Sequence, residues 1–511
     1  MSKTRILIDT NVLIALEDPG QTDFVAADFA RRCQAGGITI FLPSATRRDF
    51  ERDGDDRRRS ISTSRMNKYP CLSDIPLPAR AELQARFGPI RSDNDAVDIA
   101  LLHALWIDAV DLLVSQDDGV HKRVRGGALE ERVLTLADAL AWLKALQDPV
   151  DDGLRQVVDV PAYSVATADA IFESLREDYA SFDNWWRDRC IAEHRRCWIV
   201  FGDGRLDGIV IRKTEHGEAV GLDPHKKVLK LCTFKVTSEA RGHKVGELLL
   251  RKALWHAQLN TFDAAYLTTF AKQTMLIDLL ERYGFEKRGE RADGEAVYVK
   301  TISRERLELP ADADLAVLAR THYPRFNVRA PVSLFAVPVL WAFHRQLFPE
   351  IARLTALPLF NDTSFDERGA RQVAGNTIRK VYVCHSRNTK LKGGDVLFFY
   401  QSKDVAAHHS QRLTTVGIVE QVRRARDTRE LIRLTAGRSV FSEHDLETLS
   451  SRASNGVMVI DFLLVGHLEP PLGLGQLIAE GVLSAPPQTI TQIASIALSA
   501  LLPSMNFGFA L

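Results

Sequence analysis

The chain has 511 residues, 45% hydrophobic and 26% charged, which fits globular protein but is too long for one ordinary domain. Its 66 Lys and Arg balance 66 Asp and Glu, so no global field draws it to nucleic acid and any such contact falls to local patches. The six cysteines, Cys33, Cys71, Cys190, Cys197, Cys232 and Cys384, form no C-x-x-C pair, which argues against a zinc ribbon and fits reduced thiols. The first apolar run is broken by Asp9 and Asn11, unlike a signal peptide, and no uninterrupted apolar run reaches membrane-spanning length. The expectation is a cytoplasmic protein with no membrane partner.

Residues 1–147 alternate strand and helix patterns, as a parallel α/β domain does. Strands are predicted at Ile6–Ile8, Ile38–Leu42 and Leu112–Ser115, and helices at Ala96–Val110 and Leu136–Leu146. The apolar run Arg5–Ile8 ends in Asp9-Thr10-Asn11, which puts a carboxylate at a strand's C-terminal edge, where parallel sheets place sites. Asp49, Asp98 and Asp117 recur in similar settings. Ser92 and Asp95 have capping-box spacing, and Asp95 and Asp98 share a helix face. Four carboxylates that converge would repel one another unless a cation offset them, which points to a hard divalent metal and phosphodiester hydrolysis. The plain alternative makes them helix caps and solvated edges. Residues 47–68 mix eight Lys or Arg with five acids, either a phosphate-gripping arm or a solvated charged segment.

Asp-Thr-Asn, then Leu-Pro-Ser with an acid six residues after the Pro, then Asp in an apolar helix, then Ser-Gln-Asp-Asp after a strand, resembles a PIN-domain nuclease over residues 1–145. The resemblance implies cleavage of RNA with Mg²⁺ or Mn²⁺ held by Asp9, Asp98 and Asp117. Asp49 would be a fourth catalytic acid in a place usually filled by Glu. Asn11, Asp95 and Asp118 are supporting candidates, and a homodimer is implied by the same resemblance.

Asp148–Gly153 is composed as a linker. Residues 155–302 then carry helices at Ala168–Tyr179 and Phe182–His194 and strands at Cys197–Phe201, Leu206–Arg212 and Val228–Val236. A helix follows at Glu247–Gln258, a strand at Ala265–Phe270 and a helix at Met275–Tyr283. The run from Val236 through Arg241-Gly242-His243-Lys244-Val245-Gly246 goes from strand through turn into apolar helix. Free N–H groups at such a helix start bind pyrophosphate. With Glu281-Arg282-Tyr283-Gly284-Phe285 downstream, the segment resembles the GNAT acetyltransferases. That implies acetyl-CoA bound by Val236 and Arg241–Gly246. Two positions depart from the family pattern: Lys244 stands where the turn has Gly, and Leu280 stands where the general-acid Tyr belongs, leaving Tyr283 beside the Gly. Glu239, Cys232 and His243 cannot be ranked. Trp185 and Trp186 are expected to be packing residues.

Residues 303–369 are expected to connect this segment to a C-terminal domain at 370–511. Residues 370–440 hold 14 Lys or Arg against 5 Asp or Glu, a local basic excess. Strands are predicted at Lys380–Cys384, Val396–Gln401, Thr414–Val422 and Val457–Val465, and a core helix at Ile490–Leu502. Cations interleaved with Tyr382, Phe398 and Tyr400 suit phosphates and bases, whereas Phe399 and Val419 suit a core. The Gly394-Asp395 turn into an apolar strand, with Val416-Gly417-Ile418-Val419-Glu420 after it, resembles ASCH or related PUA-like barrels. It implies RNA recognition, with Arg379, Lys380, Lys390, Lys392, Arg423 and Arg424 as contacts.

The fold class expected is therefore multidomain α/β and α+β: a parallel-sheet PIN-like domain, a GNAT-like domain and a PUA-like β-barrel with helices. The leading functional expectation is a metal-dependent endoribonuclease carrying an acetyl-CoA-binding domain. By analogy it would act in toxin–antitoxin or defence systems, on RNA such as tRNA, with an antitoxin or regulatory protein as partner. Two alternatives stay open. One is an acetyltransferase acting on RNA-linked or protein amines with the nuclease-like domain used for binding. The other is a non-enzymatic RNA-binding regulator.

Overall fold

The computed structural model describes residues 4–17, 23–44, 66–73, 75–147, 157–202, 205–237, 240, 244–302, 312–328, 331–354, 377–404, 410–436, 438, 441–453, 455–494 and 498–505. Asp49 with most of the charged arm, the linker at 148–153, Glu239 and Arg241–His243 lie outside these described residues. The chain forms two compact units, Met1–Val150 with Arg424–Val457, and Asp151–Arg423 with Met458–Leu511.

The first unit is built on a parallel sheet of β1 (Arg5–Ile8), β2 (Thr39–Pro43), β3 (Cys71–Leu72), β4 (Leu112–Val114) and β5 (Val133–Leu134), in the order β3-β2-β1-β4-β5. Central β1 buries Ile6, Leu7 and Ile8 completely, as a strand covered on both faces must. The helix Asp93–Trp106 starts at the predicted capping box, with Ser92 and Asp95 each accepting the other's backbone N–H. The late helices Thr428–Thr435 and Glu443–Ser451 belong to this unit. Fully buried Asp111 anchors the first of them. It accepts Arg429 Nε at 2.7 Å and Nη2 at 2.9 Å, Arg433 Nε at 2.6 Å and the Arg5 N–H at 2.7 Å. Burial pushes this carboxyl up, but Arg429, the Arg5 N–H and Arg433 together hold it below its ordinary value.

The second unit holds two sheets. One comprises β6 (Val157–Pro161), β7 (Arg196–Gly202), β8 (Arg205–His216), β9 (Lys227–Val236), β10 (Ala264–Thr269), β11 (Glu286–Glu290) and β12 (Ala296–Thr301), in the order β11-β12-β10-β9-β8-β7-β6. Its neighbours are antiparallel except β9 and β10, which run parallel. The helix Val245–Leu259 covers one face. A Cβ at Gly208 on β8 would lie 2.7 Å from Val245 Cγ1 and 2.9 Å from Leu249 Cδ1, so glycine permits that approach. The two helices expected over 168–194 are instead a 3₁₀ turn, two short α segments and a π turn at Trp186–Ile191. Trp186 packs on Phe172 and Phe182, as expected of a core residue.

The other sheet comprises β13 (Leu334–Val339), β14 (Arg379–Cys384), β15 (Val396–Gln401), β16 (Arg412–Ala425), β17 (Val457–Gly473) and β18 (Thr491–Ile493), in the order β14-β17-β16-β15-β13-β18. This corrects the barrel expectation: among the described residues the sheet is open, with β14 and β18 at its edges. The 303–369 stretch is more than a connector. It supplies β13, parallel to β15, and the helices Leu315–Thr321, Trp341–Leu347 and Pro349–Leu354. Gly394 has φ 87°, and a Cβ there would lie 2.3 Å from Leu315 Cβ, so both turn and packing need glycine. The expected helix at 490–502 is β18 followed by the short helix Leu498–Leu501. One hydrophobic core runs through both sheets of this unit, from Trp198 and Leu249 to Phe398 and Leu463.

Candidate functional site

In the second unit the parallel pair sets the geometry. β9 and β10 are in register only at Val228 with Ala264, Leu229 with Ala265 and Lys230 with Tyr266. Beyond that point β9 runs on to Val236 beside β8, and β10 runs on to Thr269 beside β12. The two strands therefore part, leaving unpaired backbone edges facing a wedge. The β8–β9 register shifts between Ile211 and Arg212, so that Cys232 stands outside the ladder as the extra residue of a bulge. Phe234 and Val236 lie on the face that carries the Val245–Leu259 helix.

That helix starts just past the end of β9. Lys244 is its N-cap, with φ 54° and no side-chain cap hydrogen bond. This left-handed conformation is the one glycine adopts without strain, so Lys244 completes the turn at a cost. A Cβ at Gly246 would sit 3.4 Å from Leu279 Cδ2 and 3.9 Å from Phe234 and Val236 atoms. The first helical turn is thus held close against the end of β9, and the Lys244 side chain does not cap it. Of the predicted cofactor set, Val236 and Lys244–Gly246 are described, and Val236 lies beside Gly246 at this turn.

Tyr283 is not in the wedge. It is 0% exposed, its hydroxyl lies 3.4 Å from Glu247 Oε1, and its ring packs on Tyr323. Leu280 is equally buried, so neither position presents a phenol to the cleft. Burial pushes the Cys232 thiol up, against the pull of Arg195, whose Nη1 donates to Sγ at 3.5 Å. A thiol held protonated is a poor nucleophile. A polar group that the sequence did not suggest lies where the strands part. Glu295 accepts the Thr268 hydroxyl at 2.6 Å and the Tyr179 hydroxyl at 2.6 Å.

The acids of the first unit come from three elements. Asp9, after β1, accepts the Thr10 N–H at 2.6 Å, Asn11 Nδ2 at 2.9 Å and the Ser115 hydroxyl at 2.7 Å. Asp117 caps the helix Asp118–Val124 by accepting the Gly119 N–H at 2.6 Å, and its own N–H donates to Ser115 Oγ at 3.1 Å. Ser115, at the end of β4, therefore ties the two acids together. Burial first, then Asp117 and Asp9, push the Asp98 carboxyl up to about 6. Asp95 stands apart: it caps its helix and pairs with Arg123. Asp118 is half-buried. Among the described residues no group of three or more His, Cys, Asp or Glu is arranged to hold a metal ion, so the Mg²⁺ or Mn²⁺ expectation lacks its ligand set there.

Of the six cations expected to contact RNA, Arg379, Lys380 and Arg423 are turned inward, which corrects their assignment. Arg379 pairs with Glu420 at 2.6 Å, and its N–H donates to Glu247 at 2.7 Å. Lys380, 1% exposed, donates to the Leu347 carbonyl at 2.7 Å. Arg423 pairs with Asp461, and Arg424 is half-buried, while Lys390 and Lys392 are exposed. Tyr382, Phe398 and Tyr400 are buried and offer no ring to a base, and Phe399 and Val419 are core as expected.

Residues 162–285 match the model of the acetyltransferase (GNAT) family, so the central segment is a GNAT acetyltransferase domain. Similar solved structures have both GNAT and ASCH folds. The PaiA N-acetyltransferase of Thermoplasma acidophilum, solved with coenzyme A, is 14% identical over 29% of this chain and 98% of its own, with TM-score 0.23. ASCH from Zymomonas mobilis is 13% identical over 34% of this chain and 94% of its own, with TM-score 0.23. The IAA acetyltransferase of Bacillus cereus is 10% identical over 28% of this chain and 97% of its own, with TM-score 0.22. No curated protein matches the chain. No described helix is long and apolar enough to cross a membrane.

Proposed function

We propose that the chain is an acetyl-CoA-dependent N-acetyltransferase acting on an amine carried by RNA or protein. The observation that carries this reading is the parting of β9 and β10 beside an uncapped helix start, within the segment that matches the GNAT family. Acetyl-CoA supplies a thioester whose acetyl carbon forms a C–N bond to the amine as the C–S bond breaks, the amine losing a proton and coenzyme A leaving as the thiol. The N–H groups of Val245 and Gly246 would bind the diphosphate, favoured by the positive end of the helix. Lys244 adds a cation at the same turn. Phe234, Val236 and Leu279 form the apolar wall beside it. The protonated Cys232 thiol favours direct transfer to the amine over a covalent acyl-cysteine. Lys390 and Lys392, both exposed, would help to hold an RNA acceptor.

The test is thiol release from acetyl-CoA with amine-bearing peptides, polyamines and aminoacyl-RNA. Acceptor-dependent release supports the reading. Binding of acetyl-CoA with no release for any acceptor would leave a scaffold domain instead.

A second reading is cation-dependent RNA cleavage by the first unit. It is favoured by the Asp98 carboxyl, which burial first and then the nearby Asp117 and Asp9 push up to about 6. Cleavage of RNA with Mn²⁺, abolished by EDTA and in Asp9→Asn/Asp98→Asn, would support it. No cleavage under any metal would remove it.

A further inference from the structure

Glu295 stands where the sheet opens. Thr268, whose hydroxyl it accepts, lies two residues beyond Tyr266, the last β10 residue paired with β9, and points to the same face. That face is opposite the one covered by the Val245–Leu259 helix: Leu267 joins the helix-side core, whereas Tyr266 does not. The parted strands thus present two faces, one toward the helix start and one at Thr268. Glu295 is only 6% exposed, yet both its carboxylate oxygens are held by neutral hydroxyls. Among the described residues its ion-pair partner is the half-exposed Arg291, whose Nη1 lies 3.9 Å from Oε2. A nearly buried carboxylate held chiefly by neutral donors keeps a strong preference for a cationic donor.

The donor now covering it comes from a separate segment. Tyr179 ends the short helix Glu173–Asp178 and is 39% exposed. Its ring packs on Phe270 just past β10, with centroids 6.1 Å apart, and its neighbour Asp178 pairs with Lys272 at 2.6 Å. Three contacts therefore strap this segment over the end of β10, and the phenol covers the Thr268 face by occupying Glu295.

We propose that Glu295 recognises the ammonium group of the incoming acceptor, and that the Tyr179 hydroxyl holds its place until a cationic amine displaces it. Glu295 is on this account a specificity-determining residue, and Tyr179 a clasp. The proposal rests on the acetyl-transfer reading and names the acceptor as a primary amine that arrives charged.

The experiment titrates spermidine and n-butylamine calorimetrically into the full chain saturated with coenzyme A, for wild type, Glu295→Gln and Tyr179→Phe. Coenzyme A binding is measured first for each protein, which also reports that the variants fold. The expected result is saturable amine binding to wild type and equal coenzyme A affinity in all three. Glu295→Gln should bind either amine about tenfold more weakly or worse, and Tyr179→Phe should bind it several-fold more tightly, because a hydrogen bond to a charged group is lost in one case and a competing one removed in the other. Wild type that takes coenzyme A but neither amine, or Glu295→Gln that binds amine as well as wild type, overturns the proposal. Failure of wild type to bind coenzyme A overturns the acetyl-transfer reading, and this proposal falls with it.

Discussion

The wedge of the second unit and the acidic site of the first differ in what they are made of. The wedge is backbone: two parallel strands that part, a bulge, and a helix start held against a strand end. It keeps its geometry although Lys244 takes the left-handed N-cap position and Leu280 and Tyr283 are both buried away from the cleft. The acidic site is side chain: Asp9, Asp98 and Asp117 within electrostatic reach, Asp9 and Asp117 tied by Ser115, but not arranged to hold a metal among the described residues. A site made of backbone tolerates departures in residue type, whereas a site made of carboxylates depends on each of them and on what neutralises them.

Substitutions that touch one region and spare the other sharpen this contrast. The largest effect is expected at Asp111, which serves the first unit alone. Asp111→Ala leaves Arg429 and Arg433 without their buried partner and should cost roughly 3–5 kcal/mol. Denaturant melting should show the loss, with acetyl-CoA affinity unchanged; a loss of affinity would mean that the units are not separable. Next is Gly208→Val, which drives methyls into Val245 and Leu249 and should cost about 1–3 kcal/mol. It should also weaken acetyl-CoA binding by displacing the helix start, and unaltered binding would show that the helix position does not matter.

Asp98→Asn has a pH signature. The folded carboxyl is raised to about 6, above its unfolded value. Its stabilising contribution is therefore complete below the unfolded pKa and is lost as pH rises through 6. The substitution should stabilise the protein at pH 7–8 by about 1–2 kcal/mol, after discounting for solvent screening, and leave it unchanged or weaker near pH 4. Equal effects at both pH values would mean that Asp98 does not feel its neighbours. The smallest effect is expected for Lys244→Gly, which relieves the left-handed strain and should raise stability by about 1 kcal/mol. Calorimetric melting measures it, and a fall in stability would mean that the lysine side chain contributes more than its backbone costs.

Sequence periodicity located β1, β2, β4 and β7 to β10 to within a few residues, because apolar runs bounded by Gly, Asp and Asn leave few choices, but it missed β5 and β12 beside the two sites. It did not show what long-range pairing decides. Leu334–Val339 contains Pro338, which argues against a strand, yet it forms β13 beside β15. Arg379 and Lys380 look like surface cations beside an RNA, but Glu420, Glu247 and the Leu347 carbonyl claim them from elsewhere in the chain. Tyr179 and Glu295 are 116 positions apart, and nothing near either one announces the other. The Asp-Thr-Asn run was the strongest local signal in the chain, and the wedge, carried by a weaker turn motif, has the fuller geometry.

The most direct measurement of the central claim is calorimetric titration of acetyl-CoA into the full chain and into Gly246→Asp. An aspartate in the first turn suits the helix but opposes a diphosphate at its N-terminus. The account predicts one saturable site in wild type, weakened about tenfold or more in the variant while its melting temperature is kept. No binding to wild type, or equal binding to a folded variant, would contradict it.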